Sequence, residues 1–151
     1  MTIDKEIVKS SKTTQSSNLA AEYYVASLLF RLGYVVTVTF GNTKEIDLIV
    51  LDPETKKTVT LDVKGLKNTT NWIMPKNPSE NHNHFYVLVT FKNKISDFDE
   101  IPEVYTLPSE QIRKLWVGWA GKEEIRAINY RDLREHPEFK GKDGMKLLFQ
   151  R

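Results

Sequence analysis

The chain has 151 residues, of which 40% are hydrophobic and 28% are charged, and it contains no cysteine. This length is enough for one domain with its own core, and the lack of cysteine excludes disulfides, thiolate metal sites and thiol nucleophiles. The formal net charge of +2 gives no overall field that would indicate nucleic-acid binding. No stretch is apolar for long enough to span a membrane, and the N-terminus lacks the apolar block of a signal peptide. We therefore expect a cytoplasmic protein with no membrane association.

The N-terminal segment is polar and precedes the clearest helical pattern in the sequence. Residues 1–17 lack apolar periodicity, which predicts a flexible leader before a single domain over residues 18–151. A helix is predicted over about residues 19–32. Asn18, or the serine before it, can cap the first turn, and Gly33 supplies the left-handed stop.

Strand and turn signals alternate after this helix. Three runs rich in β-branched and aromatic residues are separated by turn residues, and a fourth run is apolar nearly throughout. Continuous apolarity is typical of a strand covered on both faces, so we expect the fourth run inside the sheet. The predicted strands are residues 34–40, 46–51, 58–64 and 85–91. A short strand over residues 104–107 and a helix beginning near Pro108 follow them.

The C-terminal part gives weaker signals. It contains a predicted strand at residues 125–128, a short helix near residues 130–134 and an apolar piece at residues 145–149. Taken together, the elements predict an α/β (α+β) fold in which helices flank one central mixed sheet.

A carboxylate lies among the apolar residues of the first predicted helix. At about 100° per residue, Leu19, Val25, Leu29 and Phe30 contribute to one apolar face, and Glu22 lies at its centre. Burial of a carboxylate is costly unless a cation, a metal ion or strong hydrogen-bond donors lie beside it, so this placement indicates a partner. The alternative is a first-turn glutamate that the helix dipole favours and that tilts into water.

Two aspartates and a lysine fall in the predicted hairpin over residues 46–64. Asp47 interrupts an apolar strand, and Asp62 and Lys64 share one face of the next strand because strand side chains alternate. With the turn centred between residues 54 and 55, Asp47 faces Asp62, with Cβ atoms roughly 4.5–5.5 Å apart. Two carboxylates this close repel each other unless a divalent cation bridges them or one is protonated. We expect these side chains and Glu22 to converge at a sheet edge, the alternative being an exposed salt-bridge ladder there.

The order of these residues resembles that of a known nuclease group. A helical Glu22, then Asp47 at the start of a strand, then Asp62-Val63-Lys64 after a short hairpin is similar to the PD-(D/E)XK superfamily. This superfamily has the restriction-endonuclease-like fold and includes archaeal-type Holliday junction resolvases. The likeness covers about residues 19–91, and Ile46 stands where the motif's name has proline. It implies an α-β-β-β-α-β core.

The resemblance implies a metal-dependent DNA endonuclease, resolvase-like or repair-like, with Mg²⁺ or Mn²⁺ as its cofactor. Asp47 and Asp62 would be direct ligands, with the backbone carbonyl of Val63 as a third. Glu22 would contact the ion through a water or hold a second ion, and Lys64 would orient the nucleophile or neutralise the scissile phosphate. DNA would be the partner, and members of such families often form homodimers.

The alternative to an enzyme is a non-catalytic nucleic-acid-binding or assembly domain that keeps the nuclease fold. Degenerate members of such a superfamily usually lose the lysine or an aspartate. This chain retains Glu22, Asp47, Asp62 and Lys64, which favours an enzyme.

Several other side chains near the predicted site are candidates for contact with nucleic acid. Trp72 could stack on a base or pack over the sheet edge. His82 and His84 are expected to be solvated loop residues, and Trp116 and Trp119 to pack in the C-terminal part. Lysines in the surrounding loops could contact phosphates or simply be solvated. They are Lys44, Lys67, Lys76, Lys92 and Lys94.

Overall fold

A computed structural model describes residues 2–40, 46–119 and 121–150, with side chains from residue 15 onward except at residue 123. In this part of the chain, eight strands form a five-stranded sheet and a three-stranded sheet. The strands are β1 (Val35–Val38), β2 (Leu48–Leu51), β3 (Thr58–Leu66), β4 (Asn71–Met74), β5 (His84–Thr90), β6 (Glu103–Pro108), β7 (Val117–Trp119) and β8 (Lys122–Asn129). Their order is β1-β2-β3-β5-β6 in the main sheet and β4-β8-β7 in the second sheet.

The helices lie before the first strand and in the C-terminal half. They are α1 (Thr2–Arg31), α2 (Ser109–Leu115), α3 (Tyr130–Leu133) and α4 (Gly141–Met145), with 3-10 helices over Pro137–Phe139 and Lys146–Phe149. None of the described helices combines the length and the apolar composition that a membrane span requires.

The main sheet is mixed and is covered on both faces, as predicted. β3 and β5 run parallel, whereas β1-β2, β2-β3 and β5-β6 are antiparallel pairs. One face packs against α1 and residues 145–149, and the other packs against the second sheet. Every residue of β5 is buried, which confirms the position inside the sheet expected from its continuous apolarity.

The crossover between β3 and β5 differs from the core that the nuclease resemblance implies. An α-β-β-β-α-β order requires a helix there, but the chain forms β4, which pairs with β8 in the second sheet. The segment between β3 and β5 carries Pro75 and Pro78 and is rich in Asn. These residue types are poor helix formers, so a strand and irregular backbone replace the helix.

The first helix begins earlier than predicted. α1 starts at Thr2, so the segment expected to be an irregular leader is helical, and Asn18 is no helix cap. The segment contains no Gly or Pro, and Ser, Thr and Gln each lower helix propensity by only a fraction of a kcal/mol, up to about 0.7. A helix anchored by packing further along can therefore continue back through it.

The buried face of α1 is rotated from the predicted one. Ala21, Val25 and Leu29 are fully buried against the main sheet, whereas Leu19 and Phe30, expected on the apolar face, are exposed. Ala26 is buried beside them, and the partly buried Ala20, Tyr24 and Leu28 also pack against this core, so the contact face is broad but turned away from Leu19 and Phe30.

Gly65 of β3 lies where α1 approaches the sheet most closely. A Cβ built there would lie 2.5 Å from the carbonyl oxygen of Ser17 and 2.9 Å from Cβ of Ala21. We predict that Gly65→Ala lowers the free energy of unfolding by about 1–3 kcal/mol in urea titrations, because the helix must move outward. Gly118→Ala is the control: its nearest neighbour would be at 3.6 Å. Equal stability of the two variants would show that the close approach is not what requires glycine.

Candidate functional site

A gap in the main sheet opens between β2 and the second half of β3. β2 pairs only with residues 58–61 of β3, with Leu48 opposite Leu61, whereas β5 pairs with β3 through to Leu66. The predicted hairpin register is confirmed, since its partners follow the alignment that sets Asp47 against Asp62. Beyond Leu61, side chains take the place of a neighbouring strand along this edge of β3.

Asp47 fills the near end of this gap. Its amide donates to the carbonyl of Leu61 at 2.8 Å, and its Oδ2 accepts a hydrogen bond from the amide of Val63 at 2.7 Å. Its own carbonyl accepts hydrogen bonds from Thr39, through the amide at 3.0 Å and the hydroxyl at 3.2 Å. Asp47 therefore contacts β3 at the residue before Asp62 and at the residue after it.

Asp62 and Lys64 lie next to Asp47 on one face of β3. The side chain of Asp62 is buried and that of Lys64 is half-buried, with Nζ of Lys64 3.5 Å from Oδ1 of Asp62. The pair was expected at a sheet edge, but β3 is the central strand of five. The site is nevertheless accessible because β2 has only four residues and leaves the rest of this side of the nine-residue β3 without a neighbouring strand.

Glu22 reaches the same gap from α1. It is half-buried, follows the fully buried Ala21, and lies close enough to Asp47 and Asp62 for their charges to act on its carboxyl group. Burial, and then the negative charges of Asp47 and Asp62, raise the pKa of Glu22 from 4.5 to about 7.

The pKa of Asp62 is also raised, from 3.8 to about 6. Burial is the main cause, and Asp47 adds to it, while the ammonium of Lys64 acts in the opposite direction. The structure therefore brings together the four side chains that the sequence singled out, and it holds three carboxyl groups where their charges oppose one another.

The net charge of the three carboxyl groups and Lys64 favours a bound cation. With all three carboxyl groups ionised, Lys64 neutralises one charge and two negative charges remain. Among the described residues, no three or more His, Asp or Glu side chains are already arranged as ligands of one metal ion. An ion here would take two carboxylates, Asp47 and Asp62, and fill its shell with water and backbone oxygen, which is how Mg²⁺ is commonly bound.

The backbone of β3 adds an oxygen to this gap. The amide of Thr60 and the carbonyl of Leu66 form hydrogen bonds on the β5 side, so even-numbered residues of β3 direct their backbone groups there. Odd-numbered residues direct theirs toward the gap, and the amide of Val63 does so by donating to Asp47. Because the N–H and C=O of one strand residue point to the same side, the carbonyl of Val63 also faces the gap.

Two polar residues that the sequence analysis did not assign to the site hold its backbone. Oδ1 of Asn18 accepts a hydrogen bond from the amide of Gly65 at 3.1 Å, next to Lys64, and Thr39 binds the carbonyl of Asp47. Asn18 was predicted to cap a helix, which is the usual role of asparagine before an apolar run. Nothing in the local sequence indicates that it would instead cap an unpaired strand edge 47 positions further along.

Two aromatic candidates have structural roles. Trp72 is 2% exposed, its indole N–H donates to the carbonyl of Val89 at 3.0 Å, and its ring packs near Tyr105 and Tyr130. Stacking of Trp72 on a base is therefore wrong. His84 is buried, with Nδ1 2.7 Å from the hydroxyl of Thr60, so its assignment as a solvated loop residue is also wrong. His82 is exposed as expected.

The predicted packing tryptophans are half-buried. Trp116 lies at the margin of the core between the second sheet and the main sheet. The Cζ atoms of Arg113 and Arg126 lie 5.3 and 5.8 Å from the centre of its ring. Trp119 ends β7. Neither is exposed as a stacking platform.

The candidate phosphate-binding lysines divide into two groups. Lys67 and Lys76 are exposed. Lys92 and Lys94 form ion pairs with Glu100, at 3.9 and 2.7 Å, so part of their charge is neutralised within the chain. Lys44 lies outside the described residues.

The raised carboxyl pKa values predict a pH dependence of stability. The folded protein holds more protons than the unfolded chain between 4.5 and about 7 for Glu22, and between 3.8 and about 6 for Asp62. Without divalent cations, both groups therefore make the free energy of unfolding fall as pH rises through these ranges. In urea titrations from pH 4 to 8, we expect the free energy of unfolding of Glu22→Gln to fall less steeply with pH than that of the wild type. The variant lacks the contribution of the Glu22 carboxyl, and that of Asp62 remains.

Glu80→Gln, at an exposed position, is the control and should follow the wild-type curve. A Glu22→Gln curve parallel to the wild type across this range would contradict the burial of Glu22 beside Asp47 and Asp62.

Comparison with known proteins supports the fold. No family model matches the sequence, and a search of curated proteins gives no match. Among solved structures, the bacterial homing endonuclease I-Ssp6803I aligns with a TM-score of 0.50 and 16% sequence identity, over 77% of this chain and 76% of that one. At this identity the likeness extends to the fold, a mixed sheet flanked by helices.

Proposed function

We propose that the chain is a metal-dependent phosphodiester hydrolase, specifically a DNA endonuclease of the PD-(D/E)XK kind that acts in the cytoplasm. The observation that carries the proposal is the convergence of Glu22, Asp47, Asp62 and Lys64 on the gap beside β3. The fold shared with a homing endonuclease is a second support. Neither observation depends on the other, since one concerns side chains and the other the backbone.

The donor set in the gap fits Mg²⁺ or Mn²⁺. Asp47 and Asp62 would hold the ion with the carbonyl of Val63, all oxygen donors of the kind that these hard cations prefer. When bound, the ion would polarise the scissile phosphate and favour hydroxide at neutral pH. Asp47 is suited to such a role because its carboxylate is already fixed by the amide of Val63.

Glu22 and Lys64 would act on the reacting groups. The Glu22 carboxyl lies beside Asp47 and Asp62, so it would hold a metal-bound water or a second ion. The ammonium of Lys64 lies 3.5 Å from Asp62 and remains partly accessible. It would neutralise the negative charge that grows on the phosphate oxygens as the attack proceeds.

Nucleic acid would approach from the side of the sheet where the gap opens. The exposed Lys67, which follows β3, and Lys76, which follows β4, are the lysines best suited to contact the phosphate backbone. Lys92 and Lys94 would contribute less because Glu100 already binds them.

The test is cleavage of branched, duplex and single-stranded DNA in Mg²⁺ or Mn²⁺, with EDTA as the control. We expect cleavage of at least one substrate in either metal and none in EDTA. A protein that binds DNA but cuts nothing in the panel would instead be a non-catalytic nucleic-acid-binding domain.

A further inference from the structure

A loop between β5 and β6 exposes an aromatic ring to solvent. Phe98 is 95% exposed, and Asp97 and Asp99 flank it. The loop is folded by successive turns: the amide of Lys94 donates to Phe91, that of Asp97 to Lys94, and that of Glu100 to Asp97. We refer to residues 92–100 as the Phe98 loop.

The Phe98 loop is held in one conformation by more than its turns. Glu100 pairs with Lys94 at 2.7 Å and with Lys92 at 3.9 Å. Lys92 and Asn93 adopt left-handed backbone conformations, with φ of 53° and 63°. Asparagine adopts this conformation readily, but it is uncommon for lysine and indicates that the surroundings hold the backbone there. The ring is therefore presented on a preorganised support, which lowers the entropy cost of binding through it.

A cavity of about 620 Å³ opens beside this loop, between α1, the start of β6 and α4. Its apolar wall includes Leu28, Leu32, Val104 and Met145. Four cations also line it, against one carboxylate, Glu103. The cations are Arg31, Lys92, Lys140 and Lys142. We refer to it as the basic cavity.

Carboxylates neutralise only part of the positive charge in the basic cavity. Lys140 lies 3.7 Å from Glu103, and Lys92 pairs with Glu100. Within the described ranges, no carboxylate lies within ion-pair distance of Arg31 or Lys142. The cavity therefore suits a partner that brings an apolar group with negative charges beside it.

We propose that the basic cavity receives the Phe98 ring of a second copy of this chain, with Asp97 and Asp99 set against Arg31 and Lys142. Phe98 does not line the cavity of its own chain, although Ile101, three residues later, does. Lys92 begins the loop and Ile101 follows it, and both line the cavity, so loop and cavity are neighbours on one surface. A two-fold axis between two chains would set each loop against the other chain's cavity. Both the apolar and the charged parts of the two surfaces are then complementary.

The test is the mass of the full chain by sedimentation equilibrium from micromolar to millimolar concentration, in EDTA and without nucleic acid. We expect a monomer–dimer equilibrium that Phe98→Ser weakens by at least about tenfold, since an aromatic anchor in a pocket dominates such interfaces. Phe40→Ser is the matched control, because Phe40 is 82% exposed but lies on the segment after β1. It should leave the equilibrium unchanged.

A charge exchange tests the pairing itself. Asp99→Lys and Lys142→Glu should each weaken the dimer, and the double variant should recover part of the loss. A monomeric wild type at every concentration would overturn the proposal, as would equal effects of Phe98→Ser and Phe40→Ser or a double variant weaker than both single ones. None of these outcomes depends on cleavage, so the proposed nuclease activity is judged separately.

Discussion

Lys64→Ala is expected to bind DNA almost as well as the wild type but to cleave it at least about a hundredfold more slowly. Its ammonium lies 3.5 Å from Asp62 at the gap, so it is placed to stabilise charge that develops during the reaction. Removing one such electrostatic contact typically costs 10²–10³ in rate. An interaction that strengthens in the transition state affects turnover more than binding.

The measurement combines a mobility-shift assay with single-turnover cleavage, which separates chemistry from binding. Lys146→Ala is the control, since Lys146 is exposed and distant in the last 3-10 helix. Near-normal cleavage by Lys64→Ala would contradict the role given to this side chain. A loss of DNA binding as large as the loss of rate would reassign Lys64 to substrate binding.

Asp62→Asn is expected to abolish detectable cleavage and to weaken Mn²⁺ binding, measured calorimetrically, by at least about tenfold, because a charged ligand becomes a neutral amide. The fold should persist. Burial and Asp47 together outweigh Lys64 in raising the pKa of Asp62 to about 6. Above that pH the ionised carboxylate destabilises the metal-free protein, so the variant should be as stable as the wild type or more so at pH 8.

Thermal unfolding with and without Mg²⁺ gives an independent measurement for this variant. The cation should raise the midpoint of the wild type and have little effect on Asp62→Asn, since stabilisation by a ligand follows its affinity for the folded state. Asp143→Asn, at an exposed position in α4, is the control and should respond as the wild type does. An unchanged Mn²⁺ affinity in folded Asp62→Asn would remove Asp62 from the set of ligands.

The hairpin shows how far local sequence can lead. Asp52 begins a turn in which the amide of Lys56 donates to its carbonyl and its own amide donates to Lys57, so the turn sets which residues face each other. The period of two in β3 then places Asp62 and Lys64 on one face. Register and side-chain direction follow from neighbours in sequence, which is why the order of residues is enough to group Asp47 with Asp62 and Lys64.

The placement of Glu22 on the buried side of α1 also follows from a local pattern, although less directly. Its position beside buried helix residues follows from helical periodicity, although the exposed Leu19 and Phe30 show that the buried face is rotated from the one the periodicity predicts. What brings the carboxyl group of Glu22 close to that of Asp47 is the packing of α1 along the unpaired edge of β3. That contact joins residues 25 positions apart, beyond the reach of any local pattern.

The sequence by itself determined the five strands of the main sheet, the hairpin register and the shared face of Asp62 and Lys64, because these depend on backbone geometry and on near neighbours. Only the tertiary structure decided that β4 replaces a crossover helix, that Trp72 and His84 are buried, and that Asn18 caps an open strand edge. The raised pKa values of Glu22 and Asp62 also depend on the tertiary structure. Burial and charge proximity arise when distant segments meet, and their energies depend on which surfaces do so.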